Sequence, residues 1–176
     1  MEKTFQIPEG VNVEINNFEI TVTGKKGKLE KNFANPVFTN KIKIVKTDKE
    51  VKVSTDSDKR KIKAMIGTIV AYLKNMSVGV TDGYKYTMKI VYMHFPFTVK
   101  LDGKVIIIGN FLGGKALRKS KIIGDTNVEI KGDDVIVTGV NVEEVGQTCA
   151  NLETATKIKD RDRRVFQDGI FLSSRG

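Results

Sequence analysis

One pattern of hydrophobic alternation runs through this 176-residue chain twice. Residues 13–22 alternate apolar and polar positions around a polar break at Asn16-Asn17, and residues 99–108 do the same around Asp102-Gly103. Two such runs joined by a short polar break are the signature of a β-hairpin. A second pair follows in each half: residues 42–44 with 51–53, then residues 128–130 with 135–137. Their turns fall at Lys46-Thr47-Asp48-Lys49 and Lys131-Gly132-Asp133-Asp134. The period then changes from two to 3.6. Ile62, Met65, Ile66, Ile69, Val70 and Leu73 line one face of an amphipathic helix, and Val145, Cys149, Leu152 and Thr156 hold a weaker version. Asn141 is placed to cap the second helix, with Glu144 three positions on to complete a capping box. Both halves close on aspartate–glycine, Asp82-Gly83 and Asp168-Gly169. The expected fold is therefore α+β, a tandem duplication of a small, mainly antiparallel sheet covered on one face by one helix. The expected domains are residues 1–82 and 83–176.

Two units of this size can each bury a core, and 40% apolar residues supply one. The formal net charge of +9 points to a polyanionic partner, because each Lys or Arg set on a phosphate releases a condensed counterion. A single cysteine, Cys149, excludes an internal disulfide, and a single histidine, His94, excludes a histidine metal triad. No cofactor or metal is expected. No run approaches the ~20 apolar residues of a membrane span, and the first residues lack the apolar stretch of a secretion signal. The expectation is a soluble, intracellular protein with no membrane partner.

The charges are unevenly laid out. Residues 1–82 hold fifteen bases and ten acids, mixed; residues 83–176 hold fifteen and eleven, segregated. Lys115, Arg118, Lys119 and Lys121 follow a glycine-rich stretch with no acid among them, whereas residues 122–156 hold seven acids and one base. Lys157, Lys159, Arg161, Arg163 and Arg164 then form a second basic run, interrupted by Asp160 and Asp162. If the two basic stretches meet, they make one cationic face, and these nine residues are the candidate RNA-binding set.

Other motifs carry less. Gly109 to Lys115 satisfies the spacing of a phosphate loop, but Ala116 stands where Ser or Thr would hold Mg²⁺, and residues 117–122 read as basic loop or strand. A nucleotide-binding enzyme is thus the weaker rival, and no small-molecule substrate is expected. A protein-only adaptor is another rival. Cys149 lies on the apolar helix face and reads as a core thiol. His94, between a strand and Pro96, reads as a packed or linker histidine with no carboxylate evident around it. Asp133-Asp134 and Glu143-Glu144 fit a turn and a helix start. Lys59, Arg60, Lys61 and Lys63 open the first helix, the unfavourable end for its dipole, and suit a solvated face as well as an RNA contact.

Three stretches carry a family resemblance: residues 83–96 (GYKYTMKIVYMHFP), residues 108–113 (IGNFLG) and residues 159–171 (KDRDRRVFQDGIF). Together they resemble large-subunit ribosomal protein six, in the form shared by archaea and eukaryotes and called protein nine in the latter. The resemblance spans essentially the whole chain, duplication included. It implies a structural, non-enzymatic constituent of the cytoplasmic ribosome. It implies binding to large-subunit rRNA through the second domain, near the sarcin–ricin loop and the stalk base, beside neighbouring large-subunit ribosomal proteins. Phe171 and Thr154 stand where that family usually has tyrosine and glutamine; neither change removes a base. The first domain, with its mixed charge, would act as a strut or a protein-contact surface.

Overall fold

A computed structural model describes residues 1–36, 39, 41–47 and 49–176. They form two compact units, Met1–Gly83 and Tyr84–Gly176. In the first unit the strands are Glu2–Gln6 (β1), Asn12–Asn16 (β2), Glu19–Gly24 (β3), Gly27–Asn32 (β4), Lys43–Thr47 (β5) and Glu50–Ser54 (β6), followed by the helix Arg60–Thr81 (α1). In the second they are Tyr84–Val91 (β7), Thr98–Asp102 (β8), Val105–Gly109 (β9), Arg118–Lys121 (β10), Asn127–Lys131 (β11) and Asp134–Gly139 (β12). The helix Val142–Ala155 (α2) and a last strand, Gly169–Arg175 (β13), complete it. Each unit is α+β and antiparallel, as the alternation predicts, but each contains two sheets rather than one. Their orders are β1-β6-β5 and β2-β3-β4 in the first unit, and β11-β12-β7-β13 and β10-β9-β8 in the second.

The hairpin turns sit one residue later than the polar breaks suggest. Asn16 pairs with Glu19 and Asp102 with Val105, so the loops are Asn17-Phe18 and Gly103-Lys104. Asn17 (φ 58°) and Gly103 (φ 57°) take the left-handed backbone at the first loop position, which asparagine and glycine tolerate best. The turn predicted over residues 46–49 includes Asp48, which lies outside the described residues.

Period dictates which side chains go inward. In α1, Ile62, Ile66, Ile69 and Leu73 are buried, and the stripe runs on through Met76 and Val80, two turns beyond the predicted face; Met65 and Val70 sit half-buried on its flank. Each fully buried side chain of this size contributes roughly 1.5–3 kcal/mol. The last turn of α1 lies so close to β3 that a Cβ on Gly24 would stand 2.6 Å from Val80 Cγ2 and 2.8 Å from the Val80 carbonyl oxygen. In the second unit Val145, Cys149 and Leu152 of α2 pack with Met88, Ile90, Ile106, Ile108, Val135, Val137 and Ile170.

The start of α2 corrects one expectation. Asn141 caps the helix, its Oδ1 accepting the Glu143 N–H at 3.0 Å. Glu144 does not return to Asn141 to close a box; its Oε2 accepts the Asp125 N–H at 3.2 Å. The turn at Gly124, with a left-handed φ of 60°, brings that amide within reach, and a tertiary partner outcompetes the local one.

Candidate nucleic-acid interface

The two basic stretches of the second unit are joined by one side chain. Arg118 begins β10, an edge strand running antiparallel to β9. Alternation sends Arg118 and the buried Ser120 to one face and Lys119 and Lys121 to the other. On the inner face the Arg118 guanidinium lies 4.3 Å above the Phe111 ring. Its Nη1 donates to the carbonyl oxygens of Ala155 at 2.9 Å and Lys157 at 3.3 Å. These carbonyls belong to the end of α2 and the residue just past its cap, where a helix has unpaired acceptors and a negative dipole end, so a cation is stabilised there. A second tie runs from Asn151 Nδ2 to the Lys121 carbonyl oxygen at 3.0 Å.

The second basic stretch is a loop pinned at both ends. Thr156, which ends α2, donates its hydroxyl to Leu152 O at 3.1 Å and accepts the Ile170 N–H of β13 at 3.1 Å. Ile158 is buried and anchors the outgoing chain. Asp160 takes a left-handed φ of 57°. Asp162 then turns the chain, its Oδ1 accepting the Arg164 N–H at 2.9 Å and its carboxylate receiving the Arg164 guanidinium at 3.1–3.2 Å. The guanidinium, with that amide, holds the Asp162 carboxyl below the usual carboxylate range.

The loop closes on a buried carboxylate. Asp168 is fully buried, and its Oδ1 accepts the N–H groups of Met93 (2.9 Å) and His94 (3.2 Å), while Oδ2 lies 2.9 Å from His94 Nδ1. Burial pushes its pKa up, but the hydrogen bonds from the His94 ring and the two amides outweigh it and leave the carboxyl below its ordinary value. The His94 ring stacks on Phe166 at 4.5 Å, and Arg161 lies 4.7 Å from the same ring. His94 is indeed packed, but against a carboxylate from 74 positions away, which local sequence could not reveal.

The nine candidate cations thus divide by surroundings. Lys115, Lys119, Lys121, Lys157, Lys159 and Arg163 are exposed, and no acidic partner is found for them among the described residues. Arg161 is exposed with its guanidinium against Phe166, and Arg164 is exposed but paired with Asp162. Arg118 is half-buried and occupied internally. Lys119 and Lys121 project from the strand face opposite Arg118, so the basic groups flank the seam between strand and loop rather than form one flat row.

The glycine-rich stretch is no phosphate cradle. Asn110 (φ 60°), Leu112 (φ 52°) and Gly113 (φ 73°) make a tight irregular turn, and β10, not a helix, follows Lys115. The helix N-terminus that would face a nucleotide phosphate is missing from that place. Cys149 is buried on α2, and burial, with the Glu153 carboxylate, pushes its thiol up to about 11. It is a core group. Among the described residues no cluster of three or more potential metal ligands occurs, and no helix is long and apolar enough to cross a membrane.

Fold and charge together define a class: a basic, doubly repeated α+β protein whose second unit carries exposed cations, without an acidic partner among the described residues, on a strand and a loop joined by Arg118. The family model described as ribosomal protein L6 matches residues 7–83 and again 95–169. The large ribosomal subunit protein uL6 of Methanobrevibacter smithii is 50% identical over 99% of this chain and 96% of its own length. The protein of the same name from Methanosphaera stadtmanae is 53% identical over 94% of this chain and 89% of its own, and that of Methanosarcina mazei 46% over 97% and 94%. The chain belongs to the ribosomal protein L6 family. It is a ribosomal protein of the large subunit, not an enzyme.

Proposed function

We propose that the second domain, residues 83–176, binds large-subunit rRNA through the seam between β10 and the loop after α2. The first domain, residues 1–82, serves as a strut or a protein-contact surface. The observation that carries this reading is the Arg118 bridge to the carbonyls of Ala155 and Lys157, which puts two acid-free or acid-poor basic segments side by side. Lys115, Lys119, Lys121, Lys157, Lys159 and Arg163 neutralise phosphates, Arg161 and Arg164 add charge from the same loop, and Arg118 holds the two segments together. Phosphate contacts fix position without reading sequence, so the RNA is chosen by its folded shape and 2′-hydroxyls. The resemblance set out above supports a site near the sarcin–ricin loop and stalk base, within the cytoplasmic ribosome and beside neighbouring large-subunit proteins.

The test is a charge reversal. Changing Lys119, Lys121 and Arg163 together to Glu leaves the side-chain hydrogen bonds that hold β10 and the loop in place. It should weaken binding to a transcript of the rRNA region containing the sarcin–ricin loop by at least about a hundredfold, since each lost phosphate contact weakens binding severalfold. The urea midpoint should hold. Unchanged affinity moves the interface elsewhere.

A further inference from the structure

The two units differ at one sheet edge, and the difference defines a vacancy in the first. In the second unit β7 is flanked on both sides, by β12 and by β13. Its counterpart β1 pairs with β6 alone among the described residues. The register makes the equivalence explicit: Phe5 lies opposite Val51, as Met88 lies opposite Val135 in the matching hairpin. The strand that follows α1 in sequence, β7, is used in the second unit's sheet, so nothing corresponding to β13 remains for β1.

Hydrogen-bond parity identifies the open positions. The backbones of Met1 and Ile7 bond across to Thr55 and Lys49, so Met1, Lys3, Phe5 and Ile7 face β6. Glu2, Thr4 and Gln6 therefore present their N–H and C=O groups outward. Their equivalents in β7 are Lys85, Thr87 and Lys89, the residues that β13 pairs with; Lys85 exchanges both backbone bonds with Gly176. Side chains tell the same story. Met88 and Ile90 are 0% and 7% exposed beside their partners Leu172 and Ile170, whereas Phe5 and Ile7 in the matching places remain partly exposed. A groove of about 680 Å³ lies between this strand and α1, lined by Thr4, Phe5, Gln6 and Pro8, by Glu50 of β6, and by Lys74, Ser77 and Val78 on the helix. Val78 is exposed on that helix.

We infer that the β1 edge accepts an extended segment of a partner protein as an added antiparallel strand. It would be held by the backbone groups of Glu2, Thr4 and Gln6 and would lay two apolar side chains, at alternate positions, over Phe5 and Ile7. The occupant is a polypeptide because the second unit fills the matching place with one, and because a row of unpaired peptide groups at strand spacing matches another peptide backbone. Pro8, standing where Val91 pairs with Gly169, offers no N–H and so bounds the added strand to about the length of β1. This inference rests on reading the first unit as a protein-contact surface and is independent of the RNA seam.

The full chain with a synthetic peptide of residues 167–176, the segment that fills the matching edge, provides the test. Amide exchange at Thr4 and Gln6 should slow at least about tenfold on adding millimolar peptide, with Lys3, Phe5 and Ile7 unchanged. Val78→Glu, which puts a charge in the groove, should abolish the effect while leaving the RNA affinity of the chain as it was. No protection of Thr4 and Gln6, or protection that survives Val78→Glu, overturns the proposal. In purified large subunits, a photo-cross-linker on Thr4→Cys should capture a segment of another ribosomal protein. Capture of RNA, of a second copy of this chain, or of nothing overturns it as well.

Discussion

Arg118 lies in the middle of a basic run yet spends its charge inside the protein, and removing it separates scaffold from interface. In Arg118→Ala the guanidinium bond shared between the carbonyls of Ala155 and Lys157 is lost, at 2.9 and 3.3 Å, with its position over Phe111. A hydrogen bond from a charged group contributes about 1.5–3 kcal/mol, and a half-buried cation over an aromatic ring about 0.5–1 kcal/mol. The second unit should therefore lose about 2–4 kcal/mol, a factor of roughly 30 to 1,000 in its folding equilibrium. Because the chain has two units, a single bulk transition could blur the effect. Residue-resolved amide exchange under urea avoids this: protection of Ile170 and Thr156 should fall, while that of Ile66 and Ile69 in α1 should hold. Lys119→Ala, one residue on and exposed, should leave both sets within about 0.5 kcal/mol. Equal stability of Arg118→Ala and Lys119→Ala would refute the clamp.

Two further outcomes follow from the buried groups. Asp168 has a depressed pKa, so its contribution is full above the unfolded carboxylate value near 4 and is lost as pH falls through the lower folded value. Asp168→Asn should remove that acid-sensitive part, and urea midpoints of parent and variant should differ at pH 6 and converge towards pH 3. Cys149, buried with its thiol raised to about 11, should react with iodoacetamide at pH 8 at least about a hundredfold more slowly in the folded chain than in urea.

Much of the fold is written in local periodicity. The hairpins around Asn17 and Gly103, the helix faces from Ile62 and Val145, and the repeat that relates them all follow from spacing. The second sheet of each unit is harder to see. β4 offers one half-buried apolar residue, Leu29, and β10 carries three bases in four residues, so neither shows the alternation of a half-buried strand. At the candidate interface, charge segregation pointed to both segments. It could not say that Arg118 turns inward, because its partners lie 37 and 39 positions away and only folding brings them together. The Asp168 clasp on His94 and the diversion of Glu144 to Asp125 were hidden for the same reason.

If unpaired surface charge in the second unit holds RNA, added salt must weaken the complex steeply. Six unpaired cations set on phosphates predict a slope of log K against log salt of about −4 to −5. Affinity for an rRNA transcript containing the sarcin–ricin loop should then fall by roughly a few hundred- to a thousandfold between 50 and 200 mM salt. The Lys119, Lys121 and Arg163 charge reversal should flatten that slope. A slope near zero, or one the reversal leaves unchanged, would contradict binding by surface charge.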